Sequence, residues 1–211
     1  MKNALVLLSL MLIFLIGCSG DNSENNSPTA SELTLAEVQQ MGLQTALNKL
    51  ISDGNSNPVK RLFEIGITES EFNGLEYGGG LIYFARQNGD ETWINVCSKN
   101  DITEGNESML LFYAGNTLCE NLTLGGYDDW VLPELDQLRT IRLHLYQLGF
   151  GDFSDGFYWS ATESYAANCT ISGCEKNIMN ITTGIEADNQ YENSYGLKNR
   201  VRAVRYIILN D

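Results

Sequence analysis

Histidine occurs once in the 211 residues, and basic side chains are few: 13 Lys and Arg stand against 27 Asp and Glu. The single histidine, His144, excludes a histidine-rich zinc centre. It also leaves any Ser–His or Cys–His nucleophile with only one base to use. No two cysteines have CxxC spacing, which removes the usual sequence sign of a thiolate metal site or a redox pair. The formal net charge is −14. A chain this acidic repels nucleic acid and polyanionic glycans unless its cations are concentrated in one patch. The only basic cluster is KNRVRAVR, 198–205. Of three prolines, Pro58 and Pro133 stand where helices are expected to begin.

The one long apolar run is ALVLLSLMLIFLI, 4–16, behind Met1-Lys2-Asn3. It suits the h-region of a signal peptide and is short for a bilayer span. It ends in LIGC, where a small residue precedes Cys18. That pattern resembles the lipobox of bacterial lipoproteins. The resemblance implies removal of residues 1–17 and lipidation of Cys18. Loss of Lys2 takes the net charge to −15, from 12 basic and 27 acidic residues. Residues 18–30, which include SGDNSENNSPTA, are small, polar and acidic, as in a flexible tether. The expected location is the bacterial envelope, anchored to the membrane through lipid. Ser19 favours the outer membrane, and Asp21 and Glu24 resemble the export signals of surface-exposed lipoproteins.

Four cysteines remain: Cys97, Cys119, Cys169 and Cys174. An even count outside the cytoplasm suggests disulfides. Four cysteines allow three pairings. Cys169 and Cys174 flank TISG, whose glycine helps close a local loop, so Cys169–Cys174 is favoured and Cys97–Cys119 remains. Reduced, buried thiols are the alternative.

Two parts follow the tether. Residues 31–73 read as a short helical segment. Thr34 and Glu37 have capping-box spacing, and apolar residues recur at helical intervals over 35–51. Asn57-Pro58 opens a second helix that stops at Gly66, and Thr68 with Glu71 repeats the capping box. Residues 74–211 have a different texture. Asn88-Gly89 between apolar runs predicts a hairpin of about 81–86 and 92–97. Helices are expected over 108–122 and 134–148, the latter with Leu135, Leu138, Ile141, Leu145 and Leu148 on one face. Gly125-Gly126 would end the first of them. FYWSAT and RVRAVRYIIL have strand composition, with Arg200, Arg202 and Arg205 emerging from the last. KNIMNIT is a further short strand in an otherwise polar stretch, 164–199. Short helices, a hairpin and later strands give an α+β class.

Four stretches in order carry a resemblance. LFEIGITESEFNGLEYGGGLIYF leads into a glycine-rich strand. LCENLTLGGYDDWVLPELDQL contains a Gly-Tyr-x-Asp-Trp-x-Leu-Pro pattern before a helix. GFGDFSDGFYWSATE carries an aromatic strand, and RVRAVR closes the chain. Together, over about 62–207, they resemble the Lcl C-terminal domain family of bacterial surface proteins, related to the major paralogous domains of fibrolytic bacteria. The resemblance implies a C-type-lectin-like fold: a small twisted antiparallel sheet, two helices and a long loop region. Its fold signature falls on Gly126, Tyr127, Asp129, Trp130, Leu132, Pro133, Trp159, Arg202 and Arg205. Two positions depart from the family. Val131 stands where arginine is usual, and Ala203 where proline is common. The central motif reads as a brace of the fold, with Trp130 in the core, and not as a ligand contact.

No catalytic residues are assigned, and no enzymatic reaction is expected. His144 lies on a helix as a solvated residue without a partner, and Asp128-Asp129 are adjacent and diverge, whereas paired catalytic carboxylates come from separate elements. No cofactor and no metal are expected. Calcium is the alternative, because Asp128, Asp129, Asp152, Asp155, Glu186, Asp188 and Glu192 are loop oxygens of the kind Ca²⁺ prefers. The leading expectation is a lectin-like binding domain on a surface lipoprotein, for adhesion to a glycan or protein ligand, with no nucleic-acid partner. Its candidate ligand loop holds Tyr165, Asn168, Asn189, Tyr191, Asn193 and Tyr195, since tyrosine supplies rigid area and asparagine adaptable hydrogen bonds. The alternatives are an accessory subunit of an envelope assembly and a retroelement-diversified binding lipoprotein. Cys18→Ala is expected to release the protein from membranes without unfolding it. Fractionation followed by circular dichroism checks this, and a mutant that stays with the membrane contradicts the lipobox.

Overall fold

The computed structural model describes residues 33–164, 175–191 and 197–210, without the side chains of 188–191. The leader, Cys18, the tether, Cys169 and Cys174 lie outside the described residues, as do Tyr165, Asn168, Asn193 and Tyr195 of the expected ligand loop. Among the described residues no helix is long and apolar enough to cross a membrane.

Helix formation begins where the capping box places it. The Thr34 side chain accepts from Glu37 N–H, and Glu37 accepts in return, starting α1 (Leu35–Met41). The single helix expected over 35–51 is two. Gly42 takes φ +86, a left-handed value open to glycine, and α2 (Leu43–Ser52) starts afresh behind it. Helix α3 (Pro58–Glu64) begins as expected, with Asn57 Oδ1 accepting from Lys60 N–H and Pro58 in the first turn. Thr68 and Glu71 cap a single 3₁₀ turn, Glu69–Phe72.

Strands β1 (Glu76–Tyr77), β2 (Gly80–Asn88), β3 (Glu91–Cys97) and β7 (Val204–Leu209) form one antiparallel sheet in that order. The β2–β3 hairpin runs longer than its sequence signal. Asn88 pairs with Glu91, so the turn residues are Gly89 and Asp90, with Gly89 at φ +63. A bulge between Ile82 and Phe84 breaks the alternation, so Phe84 packs against the apolar cluster that holds Tyr83, while Ile82 and Ala85 belong to another. Strands β4 (Phe157–Glu163), β5 (Glu175–Asn180) and β6 (Glu186–Tyr191) form a second antiparallel sheet. β5 is the short strand expected at KNIMNIT, whereas β6 comes from residues expected to be loop. Asn189 and Tyr191 lie on β6. The molecule is thus α+β, as its composition suggested.

Helix α4 (Phe112–Glu120) ends before Gly125-Gly126, which serve another purpose. Leu124 and Tyr127 exchange backbone hydrogen bonds of 2.9 and 3.2 Å across the two glycines, both at positive φ. This is a tight two-residue turn, not a helix terminus. An added Cβ at Gly125 would lie 2.4 Å from Gly79 Cα, so the turn packs directly on the β1–β2 backbone. Helix α5 (Leu135–His144) is capped by a Glu134–Gln137 capping box, with Pro133 just outside it. It stops at His144, and Leu148, expected on its buried face, is 55% exposed.

Two apolar clusters flank the first sheet. One joins Val38, Leu47, Leu50 and Leu62 of the helical segment to Ile82, Ile94, Trp130 and Trp159. The helical segment therefore shares the core of the later strands, and Leu33–Asp211 is one compact unit. The other cluster packs α5 (Leu138, Ile141, then Leu145) against Tyr83, Cys97, Tyr158 and Met179. The buried indoles keep their hydrogen bonds: Trp159 Nε1–H donates to Leu110 O at 2.7 Å, and Trp130 Nε1–H to Leu124 O at 3.3 Å.

The arginines of RVRAVR do not emerge as expected. Arg202 is completely buried and Arg205 is 7% exposed. Arg202 Nε–H donates to Asp101 Oδ1 at 2.7 Å, one Nη donates to Ser98 O at 2.7 Å, and the other to Asp152 O. Its guanidinium stacks 3.8 Å from the Phe153 ring centroid, and Tyr158 O–H donates to the same Asp101 oxygen at 2.8 Å. Removing Arg202 leaves the buried Asp101 carboxylate with only the more distant Arg200, whose Nη1 lies 3.7 Å from Oδ2, and breaking a buried pair in this way is strongly destabilising. Arg202→Ala is expected to cost about 3–5 kcal/mol of unfolding free energy, and Arg200→Ala, whose side chain is 20% exposed, clearly less. Urea denaturation of the two variants checks the difference.

Candidate functional site

A concavity of about 690 Å³ lies between the helical segment and the strands. Asn48 of α2 and Asn55 of the following loop form one side. Tyr77 and the three glycines 78–80 form the floor. The 98–102 loop and the 124–127 turn form the other side.

Local folding explains each wall. The Gln44 amide clamps α2 to β1: its Oε1 accepts from Glu76 N–H at 2.7 Å, and its Nε2–H donates to Glu76 O at 3.1 Å. Asn57 Nδ2–H donates to Thr92 Oγ1 at 3.0 Å and ties the start of α3 to β3. Gly79 and Gly125 let the floor and the far turn touch backbone to backbone, which no side chain would permit. The 98–102 loop is held from below by Arg202.

Two tyrosines lie side by side at the cleft. Tyr127 is 41% exposed, and its ring carries the Arg205 guanidinium 3.8 Å from the centroid. Arg205 is fixed by a two-point pair with Asp129, Nε–Oδ1 2.7 Å and Nη2–Oδ2 3.1 Å, and by Gly78 O at 2.9 Å. The Arg205 hydrogen bonds hold the Asp129 carboxyl below its usual range. Burial, then the neighbouring Tyr127 phenol, push the Tyr77 hydroxyl above its usual value, so it stays a neutral donor. Lys99 pairs with Glu76, and Asp101 with Arg202. The charges lining the cleft are therefore matched.

The signature residues are distributed between the turn, its Arg205 brace and the core; of the expected ligand residues only Asn189 and Tyr191 are described, as backbone on β6. Gly126 and Tyr127 form the turn, Asp129 grips Arg205, and Trp130 and Leu132 are buried. Val131 pairs with Val204, and Pro133 precedes the Glu134 cap. Trp159 and Arg202 lie in the core. The turn read as a brace alone also presents Gly125 and Tyr127 to the cleft. Sequence reasoning missed Asn48, Asn55, Tyr77 and Asn100. The tyrosine before three glycines in EYGGG was the one available sign, since consecutive glycines mark a close backbone approach.

His144 is not simply solvated, because its Nδ1 bonds Tyr83 O at 2.8 Å. Three of the expected calcium carboxylates have partners within the protein: Asp129 with Arg205, Asp155 with the Thr182 hydroxyl, Glu186 with Arg139. Glu192 and the Asp188 side chain lie outside the described residues. Among those described, no group of three or more His, Cys, Asp or Glu is placed to hold a metal ion. A second groove near α5 collects Glu134, Asp136, Glu163 and Glu186, but Thr162, Arg139 and Lys176 take up those carboxylates.

The expected Cys97–Cys119 bridge is not made; both are free, buried thiols. They point into different clusters, Cys97 toward Tyr83 and Leu138, and Cys119 toward the core of Trp130, where its S–H lies 3.8 Å from Arg202 O. Burial pushes the Cys97 thiol up to about 11. Burial, then the nearby Cys97, push Cys119 up to about 12. Neither has the thiolate character of a nucleophile at neutral pH. No family model, curated protein or solved structure matches the chain. Both thiols are expected to resist an aromatic disulfide reagent in the native protein and to react in guanidinium without reductant. A chain that yields neither thiol after denaturation has the bridge instead.

Proposed function

We propose that the protein is a lipid-anchored binding module of the bacterial surface, with a C-type-lectin-like domain that holds a ligand and carries out no reaction on it. The observation that supports this reading best is the cleft, where two tyrosines and several side-chain amides converge on a preformed concavity. Its volume lies within the roughly 300–1,000 Å³ range of small-molecule sites. Tyrosine and asparagine are the side chains that recognition surfaces favour, because they combine rigid area with adaptable hydrogen bonds.

The polar groups that could serve a reaction have structural employment. His144 holds the β2 backbone, Asp129 holds Arg205, and Asp101 holds Arg202 and Tyr158. Anchoring through Cys18 would set the module at a membrane surface, with residues 18–30 as spacer. The detergent-extracted, lipidated protein is expected to retain a ligand from an array of glycans and surface proteins, to release it chemically unchanged, and to bind equally in EDTA. Mass spectrometry of the released ligand checks the second point. Retention of nothing, or recovery of a cleaved ligand, contradicts the proposal.

A further inference from the structure

We infer that the cleft takes an uncharged, hydroxyl-rich saccharide, and that the helical segment before the strands supplies part of the binding surface; this inference rests on the binding-module reading above.

Charge is the first argument. The charged side chains lining the cleft are Glu76, Lys99 and Asp101. Lys99 is neutralised by Glu76, and Asp101 is committed to Arg202 beneath the floor. The cation behind Tyr127, Arg205, is paired with Asp129. No lining cation is left over for a phosphate, sulfate or uronate. The acidic chain as a whole opposes any polyanion.

Hydrogen-bonding capacity is the second. Asn48 Oδ1 accepts from Gln44, and Asn55 Oδ1 accepts from Asn57 N–H. These bonds fix both amides with the oxygen inward, so each Nδ2 is the end left to a ligand. Asn100 is exposed and also lines the cleft, its backbone carbonyl accepting from the Ser98 hydroxyl at 3.0 Å. Two amide donors lining one cleft suit hydroxyl groups, which accept as readily as they donate.

Shape is the third. Tyr127 has one ring face occupied by Arg205, which holds the ring in place while 41% of the residue remains exposed. A fixed aromatic face with its negative quadrupole suits the polarised C–H face of a sugar ring. A folded protein partner needs about 800 Å² of matching surface on each side. A concavity on the scale of small-molecule sites fits a short oligosaccharide instead.

The sites of contribution separate this inference from the broader reading. Asn48 belongs to α2, Tyr127 to the signature turn, and Trp93 is exposed outside the cleft. The full chain in detergent is tested on an array of neutral oligosaccharides, sulfated and uronate oligosaccharides, and peptides. The strongest neutral binder is then titrated calorimetrically against variants whose folding is verified by thermal melting. The expected result is binding to neutral oligosaccharides. Tyr127→Ala and Asn48→Ala should each weaken it at least about fivefold, a loss that only a minority of interface residues reach. Tyr127→Phe should keep most of the affinity, and Trp93→Ala all of it. Binding confined to anionic saccharides or peptides overturns this inference and leaves the binding-module reading in place. Neutral binding that ignores Tyr127 and Asn48 overturns the cleft assignment alone. Retention of no ligand at all overturns both.

Discussion

The buried pair of Arg202 and Asp101 is the constraint on which the rest of the structure depends. A guanidinium without solvent contact must have its donors satisfied, or its burial costs several kcal/mol. Arg202 meets that demand with a carboxylate, two carbonyls and a phenyl ring, drawn from the 98–102 and 152–153 loops. Each partner lies about fifty or more residues away in sequence. Loops that would otherwise be free to wander are fixed by one side chain. The backbone around it extends the same function: Val201 O receives Ile102 N–H, Ala203 O receives Ser98 N–H, and Val204 exchanges bonds with Val131. A six-residue stretch, 199–204, thereby connects both sheets and both long loops.

The cleft is a consequence of that arrangement. The 98–102 loop is positioned from below by Arg202, and the 124–127 turn by Arg205 through Asp129 and Tyr127. The other side arrives with the helical segment, pinned by Gln44 and Asn57. Two arginines that a linear reading would offer to a ligand are spent on architecture, and this leaves the cleft electrically neutral. Saccharide recognition is proposed from that neutrality together with the amides and the paired tyrosines.

Local signals were legible where the chain satisfies its own groups over short distances. The capping boxes at Thr34 and Thr68 and the hairpin near Gly89 concern neighbours within a few residues, and each lies at or near its expected position. Trp130 in the core followed from its alternation with Leu132. Signals failed where two solutions were locally equivalent. Gly125-Gly126 could end a helix or make a two-residue turn, and only the Gly79 backbone pressed against it selects the turn. The 186–191 stretch is polar enough to read as loop, yet its backbone pairs with β5, the strand expected at KNIMNIT. Cys97 and Cys119 made a plausible pair by count, but a bond depends on where each sulfur points, and they point into separate clusters.

By itself the sequence determined the α+β class, the caps, the hairpin and the apolar faces of α2 and α5, because these follow from periodicity and from contacts three or four residues apart. It also determined the acidic balance that sets the protein against polyanions. Only the tertiary structure decided which charges are neutralised. Arg202 and Arg205 carry the same formal charge in the sequence as any surface arginine. Their burial beside Asp101 and Asp129 depends on segments 101 and 76 residues away meeting at one place, and a linear pattern holds no record of that meeting.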